Sequence, residues 1–527
     1  MNILIYLIIV LLLSMMIVIF FIPFMKISVF CLEWDFLSLK MNLYFNSLLF
    51  SLVLGVVTLS VLMFSSYYLN NELNFNYYYF MLLIFVGSMF MLNFSNNVFL
   101  MLISWDLLGI SSFFLVLFYN NWDSNSGAMN TALTNRIGDF FLFTFFSGSL
   151  LSSGYFLSLE YVCSFVLILL LLTSFTKSAQ FPFSSWLPKA MSAPTPVSSL
   201  VHSSTLVTAG LILLMNFNNL ILNNMIMLVI LIIGMVTMLF SSITALVEED
   251  MKKVVALSTL SQMGFSMVTL GLGLSFVSLI HLVSHALFKS CLFMQVGYLI
   301  HSNFGQQDGR NYSFNGLVSN LIQLQMLVTL FCLCGLMFLS GMVSKDLILE
   351  MFFINNYTLL FGLMFFVTIF LTFCYSYRLW KSLFLSFNKV LKFFDSSYMM
   401  NFLSLLLVIM SIMFLWWLNL NMLYVPSLFV YIDMYVPLMY LMILLLTAYM
   451  LIKFVTTEFM YKFLVDYLAK NMIYKLKNFK FIDANQNKFG YINLNLLNSM
   501  NNVLNYYMSV FKYNNLIFLV FLIFLFL

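Results

Sequence analysis

Four prolines, Pro182, Pro188, Pro194 and Pro196, fall within residues 176–210, TKSAQFPFSSWLPKAMSAPTPVSSLVHSSTLVTAG. Each removes a backbone donor and crowds the preceding turn, so no unbroken helix can pass through this stretch. Its flanks, 161–172 and 206–215, are apolar enough for a bilayer. A helix must therefore break at membrane depth, beside a lysine, Lys177, and a histidine, His202. Freed backbone groups are tolerated there only where protein or a water-filled cavity satisfies them. Discontinuous helices next to ionisable residues mark transport sites.

The membrane setting follows from composition. Of 527 residues, 63% are hydrophobic and 8% charged, whereas soluble domains carry about 25% charged residues. The net charge of +4 is too small to argue for nucleic acid. Residues 1–24 are apolar from the start and lack a basic n-region, so they are expected to span the membrane, not to form a cleaved signal. The six cysteines contain no C-x-x-C, and Cys332 and Cys334 lie on different helix faces. They are expected to be small buried apolar groups, not zinc or iron–sulfur ligands. Arginine occurs only at Arg136, Arg310 and Arg378, while Phe, Met, Asn, Tyr and Lys abound. That is a coding bias compatible with an organellar genome.

Apolar runs of about 20 residues each cross a bilayer once. They occur at 2–24, 44–64, 78–94, 98–119, 130–151, 160–176 and, past the break, up to 215. Further runs lie at 224–246, 254–274, 276–300, 318–344, 357–379, 402–420 and 434–452. The expected architecture is an all-α polytopic membrane protein of about fifteen spans. N-terminal spans occupy 1–77, two five-helix units occupy 78–216 and 224–380, and two further spans lie in 400–452. The fourth span of each unit carries a lysine, Lys177 or Lys345, as matched interruptions in a transporter repeat would. An odd number of spans per unit requires the two repeats to be inverted. From 453 to 512 charges recur among apolar positions, and Phe459, Phe463 and Tyr467 share one face. This predicts an amphipathic helix lying along the membrane, followed by a terminal anchor at 513–527.

Ionisable residues at membrane depth are the functional candidates. Asp106 has apolar residues on both sides, and in the next span Arg136 and Asp139 are three apart and can neutralise each other. Asp106 and Lys177 are expected to form an ion pair, because each alone would be costly in hydrocarbon. Glu248, Glu249, Asp250, Lys252 and Lys253 fall between spans and read as a solvated loop. His281, His285 and Lys289 recur at i, i+4, i+8, on one face and about 12 Å end to end. Two histidines at that spacing can hold a metal, but no H-E-x-x-H glutamate is present, and a proton wire is the better reading. The row Asp106, Lys177, His202, His281, His285, Lys289 and Lys345 suits passing a proton or cation between half-channels.

TNRIGDF, the proline-broken stretch, MKKVVALSTLSQMG, HLVSHALFKSCLFM and SGMVSKDLILE, in that order, resemble the antiporter-like subunits of respiratory complex I, mitochondrial NADH:ubiquinone oxidoreductase. The likeness is strongest over 78–379. It implies that Asp106 pairs with the broken-helix Lys177, that His202 belongs to the following span, and that His281, His285 and Lys289 bridge the two units. Lys345 is then the terminal lysine, with Arg136, Asp139 and Asp346 in support. The resemblance implies a proton-translocating subunit of the mitochondrial inner membrane with no cofactor or metal of its own. Its energy comes from electron transfer in partner subunits, which hold the NADH, FMN, iron–sulfur clusters and ubiquinone. Its partners are other complex I subunits, sibling antiporter-like subunits above all, and lipid. The tail resembles a lateral helix that the siblings and short cation/proton antiporters lack, and suits a strap across neighbouring subunits. Three departures stand out. Asp106 replaces the usual glutamate, one N-terminal span is missing, and Ser184 and Ser185 stand where a histidine often precedes WLP. Two other readings are a subunit of a Na⁺/H⁺ antiporter assembly and a passive spacer. The tail disfavours the first and the buried lysines disfavour the second.

Overall fold

In the computed structural model the chain divides into two compact units, Met1–Thr447 and Ala448–Leu527. The structure describes residues 27–32, 39–43, 45–70, 72–95, 98–151, 164–217, 223–312, 320–335, 339–342, 344–345, 348, 359–385, 403–412, 499 and 502. The expected spans at 2–24 and 434–452, the lateral helix at 453–512 (apart from residues 499 and 502) and the anchor at 513–527 lie outside them.

The first described element is not helical. Strands β1 (Ile27–Leu32) and β2 (Leu39–Leu43) pair antiparallel, Ile27 opposite Leu43, with a register shift between Phe30 and Leu32. The all-α expectation is corrected there, where strand pairing satisfies backbone groups that no helix serves. The long regular elements that follow are helices: α1 (Phe45–Tyr68), α2 (Phe75–Phe94), α3 (Val98–Val116), α4 (Trp122–Leu151) and α5 (Ser164–Lys177). Hydroxyl groups inside these apolar helices return to the carbonyl three residues back, as Ser51, Thr58, Ser60 and Ser65 do in α1. That removes their need for water.

The proline stretch breaks as its chemistry demands. After α5, Ala179 turns left-handed (φ +54°), and a 3₁₀ turn (Phe183–Ser185) leads into α6 (Trp186–Lys189). A second 3₁₀ turn (Ala190–Ser192) ends at Ala193, which is extended (ψ 159°) before Pro194. Then come α7 (Thr195–Leu200) with Pro196 in its first turn, a π-helical turn (Val201–Thr205) and α8 (Leu206–Asn216). The chain continues with α9 (Asn224–Val247), α10 (Met251–Gly271), α11 (Ser275–Ser302), α12 (Asn320–Cys334) and α13 (Leu359–Trp380). A single span expected over 318–344 instead stops at Gly335, whose φ of +76° an L side chain adopts only with strain. A shorter apolar helix, α14 (Leu403–Ile412), follows.

Among the described residues seven helices are long and apolar enough to cross a membrane. α10, α11 and the α7–α8 pair are almost wholly buried, whereas α3, α4 and α9 each turn an apolar stripe outward. On α3 that stripe is Ile103, Leu107, Ile110 and Phe114, and on α4 it is Met129, Leu133, Ile137, Phe140 and Phe143. An inside packed around polar helices with an apolar outside is the arrangement a bilayer requires. α11 packs against α1, α7, α10 and α12 and forms the axis of the described bundle.

Candidate functional site

At the first helix break, a Cβ on Gly138 of α4 would collide with Thr176 of α5, so only glycine lets the two helices meet there. This close approach brings Asp139 and Arg136 beside the end of α5. Arg136 bridges two carboxylates, donating Nη1 to Asp106 Oδ1 at 2.7 Å and to Asp139 Oδ2 at 3.2 Å. The Trp105 indole donates to Asp139 Oδ1 at 3.0 Å. Lys177, fully buried, donates Nζ to the Trp105 carbonyl at 2.6 Å and lies 3.8 Å from the centre of the Trp105 ring. The direct ion pair expected between Asp106 and Lys177 does not form. Arg136 takes Asp106, and of the two carboxylates acting on Lys177, Asp139 acts more strongly than Asp106. The reason is burial: the Asp139 side chain is 9% exposed and faces inward, while that of Asp106 is 46% exposed among the outward stripe of α3.

His202 sits in the π-helical turn, where the extra residue per turn re-aims side chains. It is buried, its ring lies 6.0 Å from that of Trp186, and neither ring nitrogen has a hydrogen-bond partner among the described residues. His285 of α11 lies beside the backbone of Ser203, the next residue along, without a hydrogen bond of full geometry. The π-helical turn thus packs against α11.

Along α11 the expected face is real. His281, His285 and Lys289 are all buried, and the two imidazoles stack at 6.5 Å. His281 Nδ1 is 2.8 Å from Ser344 Oγ, and Lys289 Nζ donates to Ser258 Oγ of α10 at 2.5 Å. Lys345, adjacent to Ser344, donates to the Leu333 and Cys334 carbonyls at 2.9 and 2.7 Å, with the Phe265 ring 5.3 Å away. Those carbonyls form the C-terminal end of α12, where the helix dipole is negative and favours a cation. Lys345 acts electrostatically on both His281 and Lys289. Asp346 lies outside the described residues.

The solvated-loop reading of 248–253 holds for some residues and fails for one. Asp250 pairs with Lys253 at 2.5 Å, Glu249 pairs with Arg310, and an isolated bridge joins Asp250 to Asp308. The hydrogen bond with Asp250 raises the Asp308 carboxyl above its ordinary range. Arg378 caps α9, donating to the carbonyls of Ala245, Leu246 and Glu248. Lys252, however, is only 3% exposed, and its Nζ bonds the Ala193 carbonyl. Sequence reasoning missed it because two adjacent lysines look alike in a string. At the start of a helix they point about 100° apart, and one of them points inward.

Ser184 and Ser185, at the histidine departure, line a cleft of about 210 Å³ with Thr237, Ser241, Thr244 and Glu248. Thr237 of this lining donates Oγ1 to Gln180 Oε1 at 2.7 Å. Hydroxyl groups thus occupy the position before WLP, as the sequence has it.

Residues 95–372 match the family described as NADH:quinone oxidoreductase/Mrp antiporter, TM. The NADH-ubiquinone oxidoreductase chain 5 of Caenorhabditis elegans is 68% identical over 503 residues, which is 95% of each chain. That of Ascaris suum is 67% identical, covering 88% of this chain and 85% of its own. That of Locusta migratoria is 39% identical over 72% of this chain and 69% of its own. Among solved structures, a chain of the Mrp complex from a Dietzia species shares the fold with a TM-score of 0.72 at 24% identity over 87% of this chain. This chain spans about half (54%) of that longer one. The chain therefore belongs to the NADH:quinone oxidoreductase/Mrp antiporter membrane family, among its NADH-ubiquinone oxidoreductase chain 5 members.

Proposed function

We infer that this chain moves protons across the mitochondrial inner membrane as an antiporter-like subunit of an NADH:ubiquinone-oxidising complex. The observation that carries the reading is a series of buried protonatable groups through the bundle. It runs from Asp139 and Lys177 through His202, His285 and His281 to Lys289 and Lys345, crossing between units at the π-helical turn. Buried ionisable groups on discontinuous helices are costly, and their use is ion transfer. Lysines and histidines in turn gain and lose protons as their surroundings change. Electron transfer belongs to partner subunits, which would hold the NADH, FMN, iron–sulfur clusters and ubiquinone. Asp106 and Arg136 support a partner directly, because this half-exposed charged pair sits amid lipid-facing side chains and calls for a second protein surface over it.

A sodium/proton antiporter assembly would use the same fold, so the fold does not separate the two readings. The high identity to chain 5 proteins over nearly the whole length favours the first. The test is Lys177→Ala and Lys345→Ala in the intact complex, with protons moved per NADH oxidised measured in sealed vesicles. Assembly should persist while proton translocation through this chain falls by at least about ten-fold, since positioned acid–base groups contribute about 10²–10⁴ in rate. Unchanged translocation in either variant would overturn the reading. Sodium-dependent translocation would transfer it to the antiporter class.

A further inference from the structure

Lys252 holds none of the roles described above, yet its surroundings match those of the lysines that do. Its ammonium is buried on a backbone carbonyl, as Lys177 is on Trp105 and Lys345 on Leu333 and Cys334. The carbonyl it meets, that of Ala193, is set free by the proline break. Ala193 is extended, and the amides of Val197 and Ser198 turn to the Pro194 carbonyl at 3.0 and 3.2 Å. Among the described residues no carboxylate lies within ion-pairing distance of Lys252.

A second observation lies on its inner side. His202 is 1% exposed, both of its ring nitrogens lack a hydrogen-bond partner among the described residues, and the π-helical turn that carries it packs against α10, the helix of Lys252. On the outer side, Lys252 is two residues from Asp250, in the turn whose acids Glu248 and Glu249 reach the surface. Glu248 also lines the hydroxyl-rich cleft beside the proline break. Lys252 therefore stands between an acidic, water-facing turn and an imidazole with both nitrogens open.

We propose that Lys252 is a further proton-carrying lysine of the first unit, delivering its proton to His202 and recovering one from the acidic turn at 248–250. An N–H bond of the ammonium breaks and the proton joins an unprotonated ring nitrogen of His202, leaving a neutral amine and an imidazolium. A proton from the turn then restores the ammonium. The proposal rests on the proton-translocation reading above and adds a route into it.

The experiment uses the intact NADH-oxidising complex in sealed vesicles with Lys252→Arg, Lys252→Gln and Lys252→His, and Lys177→Ala in parallel. Arginine and glutamine keep an N–H donor for the Ala193 carbonyl, but neither gives up a proton at working pH. Both should assemble and oxidise NADH while moving fewer protons per NADH, and histidine, which titrates, should restore part of the loss. Full translocation in the arginine and glutamine variants, with Lys177→Ala defective, overturns the role of Lys252 alone. Normal translocation in Lys177→Ala overturns the underlying reading instead. If the arginine and glutamine variants fail to assemble, the histidine variant decides: translocation sustains the proposal, and assembly without translocation overturns it. Failure of all three to assemble assigns Lys252 to clamping the helix break and overturns the proposal.

Discussion

Lys177 and Lys345 each stand at a helix break, yet they are held by different means. Lys177 closes α5 inside a cluster of side chains, where Asp139, Asp106, Arg136 and Trp105 form one network across three helices. Lys345 instead reaches back across a break to the last carbonyls of α12, and meets His281 through its neighbour Ser344. An ammonium in low dielectric needs negative potential, and either a carboxylate or the C-terminal end of a helix supplies it. A carboxylate can itself take up a proton and change the field that Lys177 feels. A helix end cannot. The field around Lys177 can thus change with a protonation state, and the field around Lys345 is fixed by the backbone.

Four substitutions sharpen or break this contrast. The largest effect is expected from Asp139→Asn set against Asp106→Asn. Asp139 is the buried member of the network, and replacing its carboxylate leaves the buried Lys177 ammonium without the stronger of its two counter-charges. Asp139→Asn should therefore lower both the thermal midpoint of the purified complex and its protons per NADH, each more than Asp106→Asn does. The reverse order would return the main role to Asp106. A smaller effect is expected from Gly335→Ala, which forces an L side chain into the left-handed region at about 1–2 kcal/mol. Its Cβ would lie 2.8 Å from Lys345 Cδ, so translocation should fall along with stability. Lost stability with unchanged protons per NADH would separate Lys345 from the geometry of the break. The smallest effect belongs to Ala179→Gly, where the first unit closes its break with an alanine at φ +54°. Relief of left-handed strain outweighs the added freedom of the unfolded chain, for a gain of a few tenths to about 1 kcal/mol. Calorimetry showing a loss would mean that the Ala179 methyl packs better than its strain costs.

What could be read from the string was whatever depends on neighbours along the chain. Apolar runs of spanning length placed α1, α2, α3, α9, α10 and α11 within a few residues of their ends, because a bilayer imposes length and composition locally. The proline cluster located the first break, and the i, i+4, i+8 spacing placed His281, His285 and Lys289 on one buried face. The second break was not legible, because Gly335 is an ordinary glycine until its left-handed φ is seen. The β1–β2 hairpin escaped notice too, since pairing depends on a register that spacing along one strand does not reveal. Partner choice was decided in three dimensions. That Arg136 bridges both carboxylates, that Asp139 acts on Lys177 more than Asp106 does, and that Lys252 turns inward while Lys253 turns out to Asp250 all depend on helix rotation and close approach. The sequence by itself determined that this chain spans a membrane with a broken helix and titratable groups at depth. Only the tertiary structure decided which of those groups meet, because electrostatic pairing falls off over a few ångströms that chain spacing does not specify.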